Sequence, residues 1–247
     1  MSFELHSNYT QYTYSVDIFV PETQCPIDGF PVIYVLDGLS YFEIAQKTIE
    51  LQCKNSLKTK VGPAIIIGIN HELETMRPRR FYDFTAPAKE YIYPDRMQKM
   101  IPDAVGGAEK FHLFLENELK PIIYRDYTVN TSDETLLGHS LGGYYALWSL
   151  FHHPNSFIKY IALSPSIWWN NHELLAYLEG FVQSEGSYRR LFLAVGELEG
   201  FMVDDTRKVY EYLSKHGLPV VFYEALEENH ASVVPTVISR AFRYISE

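Results

Sequence analysis

The stretch that decides the fold is Thr135-Leu-Leu-Gly-His-Ser-Leu-Gly-Gly-Tyr-Tyr-Ala-Leu-Trp148. A short apolar run leads into Gly138-His139-Ser140-Leu141-Gly142, and the residues that follow read as a helix. This is a strand, a sharp turn and a helix with a serine at the apex, the setting in which G-x-S-x-G lifts a hydroxyl clear of both backbones. A side chain at either flanking glycine would collide with the neighbouring strand or helix. The serine also stands where a helix N-terminus offers unpaired N–H groups. A bare G-x-S-x-G arises by chance, so it is the strand-turn-helix context that gives this one its weight.

Upstream, Pro31–Leu36 and Ala64–Ile69 are continuous, branched apolar runs, as strands buried on both faces require. Between them, Tyr41 to about Asn55 has helical spacing. Strand, helix and strand at crossover length imply a parallel sheet covered on both faces. Residues 12–20 alternate as a half-buried strand ended by Pro21, with residues 2–7 as an outer antiparallel partner. A helix with the stripe Phe111, Phe114, Leu115 and Leu119 precedes the serine motif. After the motif, strands are predicted over 157–163, 190–195 and 219–226, and helices over 171–182, about 203–216 and 231–244. The alternation never changes character, so residues 1–247 are expected to form one α/β domain. From His71 to Pro102 the periodicity disappears. An irregular stretch of that length beyond a central strand's carboxyl end is expected to be a functional loop, and it holds Arg77, Arg79 and Arg80.

A formal net charge of −10 argues against nucleic acid as a partner, because its backbone demands a positive surface. An anionic small molecule is still compatible, since a local arginine cluster can reverse the field in one cleft. The amino terminus lacks a signal-peptide pattern and no run reaches membrane-spanning length, so a soluble, cytoplasmic protein is expected, with no membrane partner. Cys25 and Cys53 belong to no C-x-x-C pair, and His71-Glu-Leu-Glu-Thr75 has threonine where a second zinc ligand belongs. No metal site is expected.

A serine nucleophile needs a base and usually a carboxylate to orient it. His230 stands just after the last predicted strand, and Glu197 and Glu199 just after the one before it. Both places lie at the sheet edge of Ser140, in the chain order serine, acid, histidine. Glu199 is favoured over Glu197 because it leaves two residues after Gly196 for the chain to turn inward. His139 is read as turned away from the serine. The oxyanion hole is expected from the N–H of Leu141 and of Leu39, the latter in the loop after Pro31–Leu36.

Taken together, Pro31-Val-Ile-Tyr-Val-Leu-Asp-Gly38, Gly106-Gly-Ala-Glu-Lys-Phe111, Gly138-His-Ser-Leu-Gly-Gly143, Ser164-Pro-Ser-Ile-Trp-Trp169 and Glu228-Asn-His230 resemble the putative-esterase family of α/β hydrolases. That family includes S-formylglutathione hydrolase, mycolyltransferases and the enterobactin and bacillibactin esterases. The Ser-Pro-Ser-Ile-Trp-Trp segment and the arginine-rich stretch are most similar to the siderophore trilactone esterases, which cleave serine-ester macrolactones carrying catecholates, free or iron-loaded. The resemblance implies an α/β-hydrolase fold with a mostly parallel sheet and a serine carboxylesterase without a cofactor. It also implies that Arg77, Arg79 or Arg80 meets an anionic siderophore, free or iron-loaded, and that Trp168 or Trp169 packs near the acyl cleft. A thioesterase or acyltransferase would keep Ser140 and His230 but change the acyl acceptor or leaving group. A non-catalytic binding protein would be expected to show a damaged triad.

Overall fold

Strands β1 (Ser2–Ser7), β2 (Tyr12–Phe19), β3 (Phe30–Leu36), β4 (Ile65–Asn70), β5 (Val129–His139), β6 (Lys159–Leu163), β7 (Arg190–Gly196) and β8 (Val220–Ala225) form one sheet in the order β1-β2-β4-β3-β5-β6-β7-β8. The computed structural model describes residues 1–99, 101–183 and 189–247. β2 is antiparallel to both β1 and β4, and every other pairing is parallel. This is the α/β-hydrolase fold, with the outer antiparallel pair where the sequence placed it.

β3 is apolar throughout because both of its faces are covered, and its side chains divide by parity. Val32, Tyr34 and Leu36 enter one hydrophobic cluster with Phe111, Tyr145 and Trp148. Ile33 and Val35 enter the other, with Ala45, Val237 and Phe242. Helices therefore close both faces, and the parallel strands β3 to β8 bring their carboxyl ends to one edge, where ligands bind in such sheets.

The stretch 71–102 differs from its expectation; Met100 within it lies outside the described residues. It contains the helix Met76–Phe84 and a short helix, Asp95–Gln98. Pro78 sits in the first turn of the longer helix, where its missing N–H is not needed. The inward face carries Asp83 beside Phe81 and Phe84, so no clean apolar stripe signals the helix. Buried Asp83 accepts hydrogen bonds from Tyr14 Oη (2.7 Å) and Arg79 Nη2 (2.6 Å) and lies 3.0 Å from His71 Nε2. A carboxylate taken out of water requires such partners, and they pin the helix to β2 and to the residue following β4.

Candidate active site

Ser140 occupies the apex between β5 and the helix Leu141–His152 with φ 59° and ψ −117°, a backbone state strained for any residue with a Cβ. The packing demands glycine at Gly138, where a Cβ would lie 2.1 Å from the Gly142 carbonyl oxygen, and at Gly143, where one would lie 2.9 Å from that of Leu163; at Gly142, against the expectation of a collision, the nearest atoms would be 3.4 Å away, in ordinary contact. Three backbone hydrogen bonds fix the turn, from Ser140 N to Leu163 O and to Ser140 O from Tyr144 N and Ser166 N. As the first residue of its helix, Leu141 has an N–H with no preceding turn to bond. Leu39 is the second residue of the helix Gly38–Gln52, so its N–H also lies in a first turn, where Ser40 and Tyr41 N–H both donate to the Asp37 carbonyl.

Glu199 and His230 meet across the loops that follow β7 and β8. Leu198 N donates to Glu228 O at 2.9 Å and Glu227 N to a Glu197 carboxylate oxygen at 2.8 Å, so Glu197 joins the two loops and Glu199 is left to turn inward. His230 Nδ1 lies 2.6 Å from Glu199 Oε2. The other oxygen, Oε1, accepts from Ser164 Oγ (2.6 Å) and Gly196 N (2.7 Å). Burial pushes the Glu199 carboxyl up, but the bonds from His230, Ser164 and Gly196 outweigh it and leave it below the ordinary carboxylate range. An ionised carboxylate only accepts, so Nδ1 is the ring nitrogen that donates its N–H to Glu199. Glu199 is 2% exposed and His230 44%, so the acid is the buried anchor and the imidazole the accessible end.

Ser140 and His230 together line a cavity of about 680 Å³. Among the described residues no hydrogen bond joins them; the Ser140 hydroxyl lies 3.4 Å from the Ser166 hydroxyl, a resting arrangement compatible with a bond that tightens when substrate binds. Leu141 and Trp168 line this cavity, as do Arg77 and Arg80, with Met97, Met202 and Phe201 on its apolar wall. Arg80 also grips Asp37, through Nε at 2.5 Å and Nη2 at 2.9 Å. Trp169 stands behind the wall: it is fully buried against Phe81, Tyr91 and Tyr93 and does not line the cavity. Leu39 does not line it either; Asp37 and Ser40 line a smaller adjoining pocket that shares Ser140 and His230.

His139 meets the site through His230 and Tyr41. Its ring packs 4.5 Å from that of His230, and its Nδ1 lies 2.8 Å from Tyr41 Oη. Burial first, and then the neighbouring His230, push its pKa down to about 4, so it is neutral at physiological pH.

A family profile described as "Putative esterase" matches residues 7–209. The chain belongs to that family. Ferri-bacillibactin esterase BesA of Bacillus subtilis is 39% identical over 243 residues, which span 94% of this chain and 84% of the relative. Siderophore enterobactin esterase of Emericella nidulans is 29% identical over 248 residues, spanning 87% of this chain and 81% of the relative. The crystal structure of BES protein from Bacillus cereus has a TM-score of 0.91 and 37% identity, covering 100% of this chain and 96% of that one.

The protein is thus a serine esterase. Four polar residues of this esterase escaped the sequence reading of the site: Asp37, His139, Ser164 and Ser166. Ser164 and Ser166 were visible in the Ser-Pro-Ser segment at the end of a buried strand, the position that already singled out the acid and the histidine. Nothing local to Asp37 in the sequence reveals its partner 43 residues away.

Proposed function

We propose that this esterase hydrolyses the serine-ester bonds of an anionic catecholate siderophore trilactone through an acyl-enzyme. The observation that carries the proposal is the cavity itself, in which a serine and a histidine backed by a buried carboxylate meet an apolar wall bearing two arginines. Its volume of about 680 Å³ suits a bulky organic ligand. Met97, Met202 and Trp168 offer surfaces for flat aromatic rings, and Arg77 is the principal contact for catecholate charge, with Arg80 beside it. The printed names of the relatives, a ferri-bacillibactin esterase and an enterobactin esterase, support the same substrate class.

In this mechanism His230 Nε2 removes the Ser140 proton as Oγ attacks the ester carbonyl carbon. The carbonyl π pair moves to oxygen, and the Leu141 and Leu39 N–H groups stabilise that charge. As the tetrahedral centre collapses, the C–O bond to the leaving serine oxygen breaks and His230 returns the proton to it. Water, deprotonated by His230, then releases the carboxylic acid and restores Ser140. The chemistry calls on no metal or cofactor of the protein's own, and iron is cargo of the substrate.

A cytoplasmic setting without nucleic-acid or membrane partners belongs to the proposal. It is supported by the net charge of −10 and the unpaired thiols of Cys25 and Cys53; among the described residues no helix is long and apolar enough to cross a membrane. The test compares kcat/KM for a catecholate trilactone, a neutral aryl ester and an acyl thioester. Preference for the trilactone supports the reading. Efficient turnover of the aryl ester or thioester with no opening of the lactone replaces it with a general esterase or a thioesterase.

A further inference from the structure

The geometry points to Asp37 and Arg80 as a latch that holds the oxyanion-forming loop in its working shape, making Arg80 a positioning residue for catalysis. The inference rests on the reading of Ser140 as nucleophile and of the Leu39 N–H as an oxyanion donor.

Asp37 is the residue between β3 and the helix Gly38–Gln52, two before Leu39, and it adopts a left-handed conformation with φ 54° and ψ 47°. That state is unfavourable for most L-residues, and its persistence requires the surroundings to impose it. The surroundings here are specific. The Asp37 carbonyl accepts from Ser40 and Tyr41 N–H, which closes the first helical turn around Leu39. Its side chain is 4% exposed, and both carboxylate oxygens are taken by one guanidinium, Oδ1 by Arg80 Nε and Oδ2 by Arg80 Nη2. A Cβ built on Gly142 would lie 3.4 Å from Asp37 Oδ2, so the carboxylate rests against the elbow helix one residue beyond Leu141. The latch therefore sits between the segments carrying the two oxyanion donors.

The other end of the latch is also fixed. Arg80 lies on the helix Met76–Phe84, and the preceding residue, Arg79, clamps Asp83 together with Tyr14 and His71. A planar fork with two parallel N–H···O bonds fixes direction as well as distance, which an ammonium cannot do. With its Nε–Nη2 edge committed to Asp37, Arg80 is better suited to shaping the oxyanion loop than to gripping a ligand. This changes what its loss should do. Removing a ligand contact weakens binding of the charged substrate, whereas loosening the oxyanion loop weakens stabilisation of the transition state for every ester.

The experiment measures kcat and KM on a neutral aryl ester for wild type, Asp37→Asn, Arg80→Gln, Arg80→Lys and the Asp37→Asn/Arg80→Gln double variant, with the Ki of an aryl trifluoromethyl ketone, whose serine adduct places an oxyanion in the hole. Asparagine tolerates the left-handed backbone, so Asp37→Asn breaks the ion pair without changing the turn. The latch predicts that each single variant loses about 10- to 100-fold in kcat with KM within about twofold, and that the ketone's Ki rises in proportion. Arg80→Lys should fall with Arg80→Gln, and the double variant should be no worse than the weaker single, because one device has been broken twice. Thermal unfolding midpoints near wild type show that the loss is not one of folding; if Arg80→Gln is unstable, Asp37→Asn decides alone. Unchanged kcat and Ki in Asp37→Asn overturn the proposal. So does an Arg80→Gln effect confined to KM for an anionic ester. A wild type that turns over the aryl ester but ignores the trilactone would sink the substrate reading and leave this test intact.

Discussion

Glu199 Oε2 lies 2.6 Å from His230 Nδ1, and the same carboxylate's other oxygen is held by Ser164 Oγ and Gly196 N. The Glu199 carboxylate is therefore held from two sides, and in the proposed mechanism it orients His230 as the base. Glu199→Gln would replace an acceptor-only group by one that can present N–H to the imidazole and favour the wrong tautomer. Its kcat/KM should fall by about 10²- to 10⁴-fold. Glu197→Gln, which only trims a loop contact, should stay within about threefold of wild type. Steady-state kinetics on one ester checks both, and the reverse ranking moves the acid to Glu197.

Ser164 is wholly buried and has φ 43°, an uncommon state for a residue other than glycine. Ser164→Ala should reduce kcat/KM by about 10-fold, in line with the loss of a charge-assisted hydrogen bond behind a catalytic group. The Ser164 bond is one of those that hold the Glu199 carboxyl below the ordinary carboxylate range, so in Ser164→Ala the Glu199 carboxyl, followed by carbon-13 NMR, should titrate at higher pH than in wild type. A lower rate with an unmoved Glu199 titration would make Ser164 a packing residue.

His139 gives a pH dependence of stability whose sign follows from its depressed pKa. The unfolded chain takes up a proton near the ordinary value of 6.5, and the folded one only near 4. The favourable contribution is present above about pH 6.5 and is lost as pH falls toward 4, by an amount on the order of 3 kcal/mol. Denaturant unfolding from pH 7 to 4 should show this decline, and His139→Asn should flatten it. An equal slope in both proteins would contradict the assignment.

Arg77 lines the cavity on the helix that also carries Arg80. Arg77→Ala should raise KM for a catecholate substrate about 10-fold and leave a neutral aryl ester nearly unchanged, because only binding energy is removed. Added salt should weaken wild-type binding of the charged substrate more than that of the neutral one. Matching shifts for the two substrates would assign Arg77 to the scaffold.

The parts of this molecule legible in the sequence are those set by local rules. Continuous branched runs marked β3 and β4, and flanking glycines marked the elbow at Ser140. Chain order after the last two strands singled out Glu199 and His230, whose side chains meet at 2.6 Å. What escaped reading depends on partners distant along the chain. The helix Met76–Phe84 was hidden because its buried face includes Asp83, whose burial is supported by Tyr14, 69 residues away. His139 looked idle because a turn pattern cannot show that the ring of His230 packs against it. Trp168 and Trp169 are adjacent and alike in sequence, yet only the backbone path decides that one lines the cavity and the other fills the core behind it.

In the proposed reaction Ser140 attacks the ester of a catecholate trilactone. The most direct measurement follows the opening of 2,3-dihydroxybenzoyl-serine trilactone by chromatography and mass spectrometry with wild type and with folded Ser140→Ala. Wild type should convert the trilactone stepwise to linear trimer, dimer and monomer, each step adding one water, and the variant should be slower by at least about 10³-fold. An intact lactone with active wild type, or equal rates in the two proteins, would contradict the proposal.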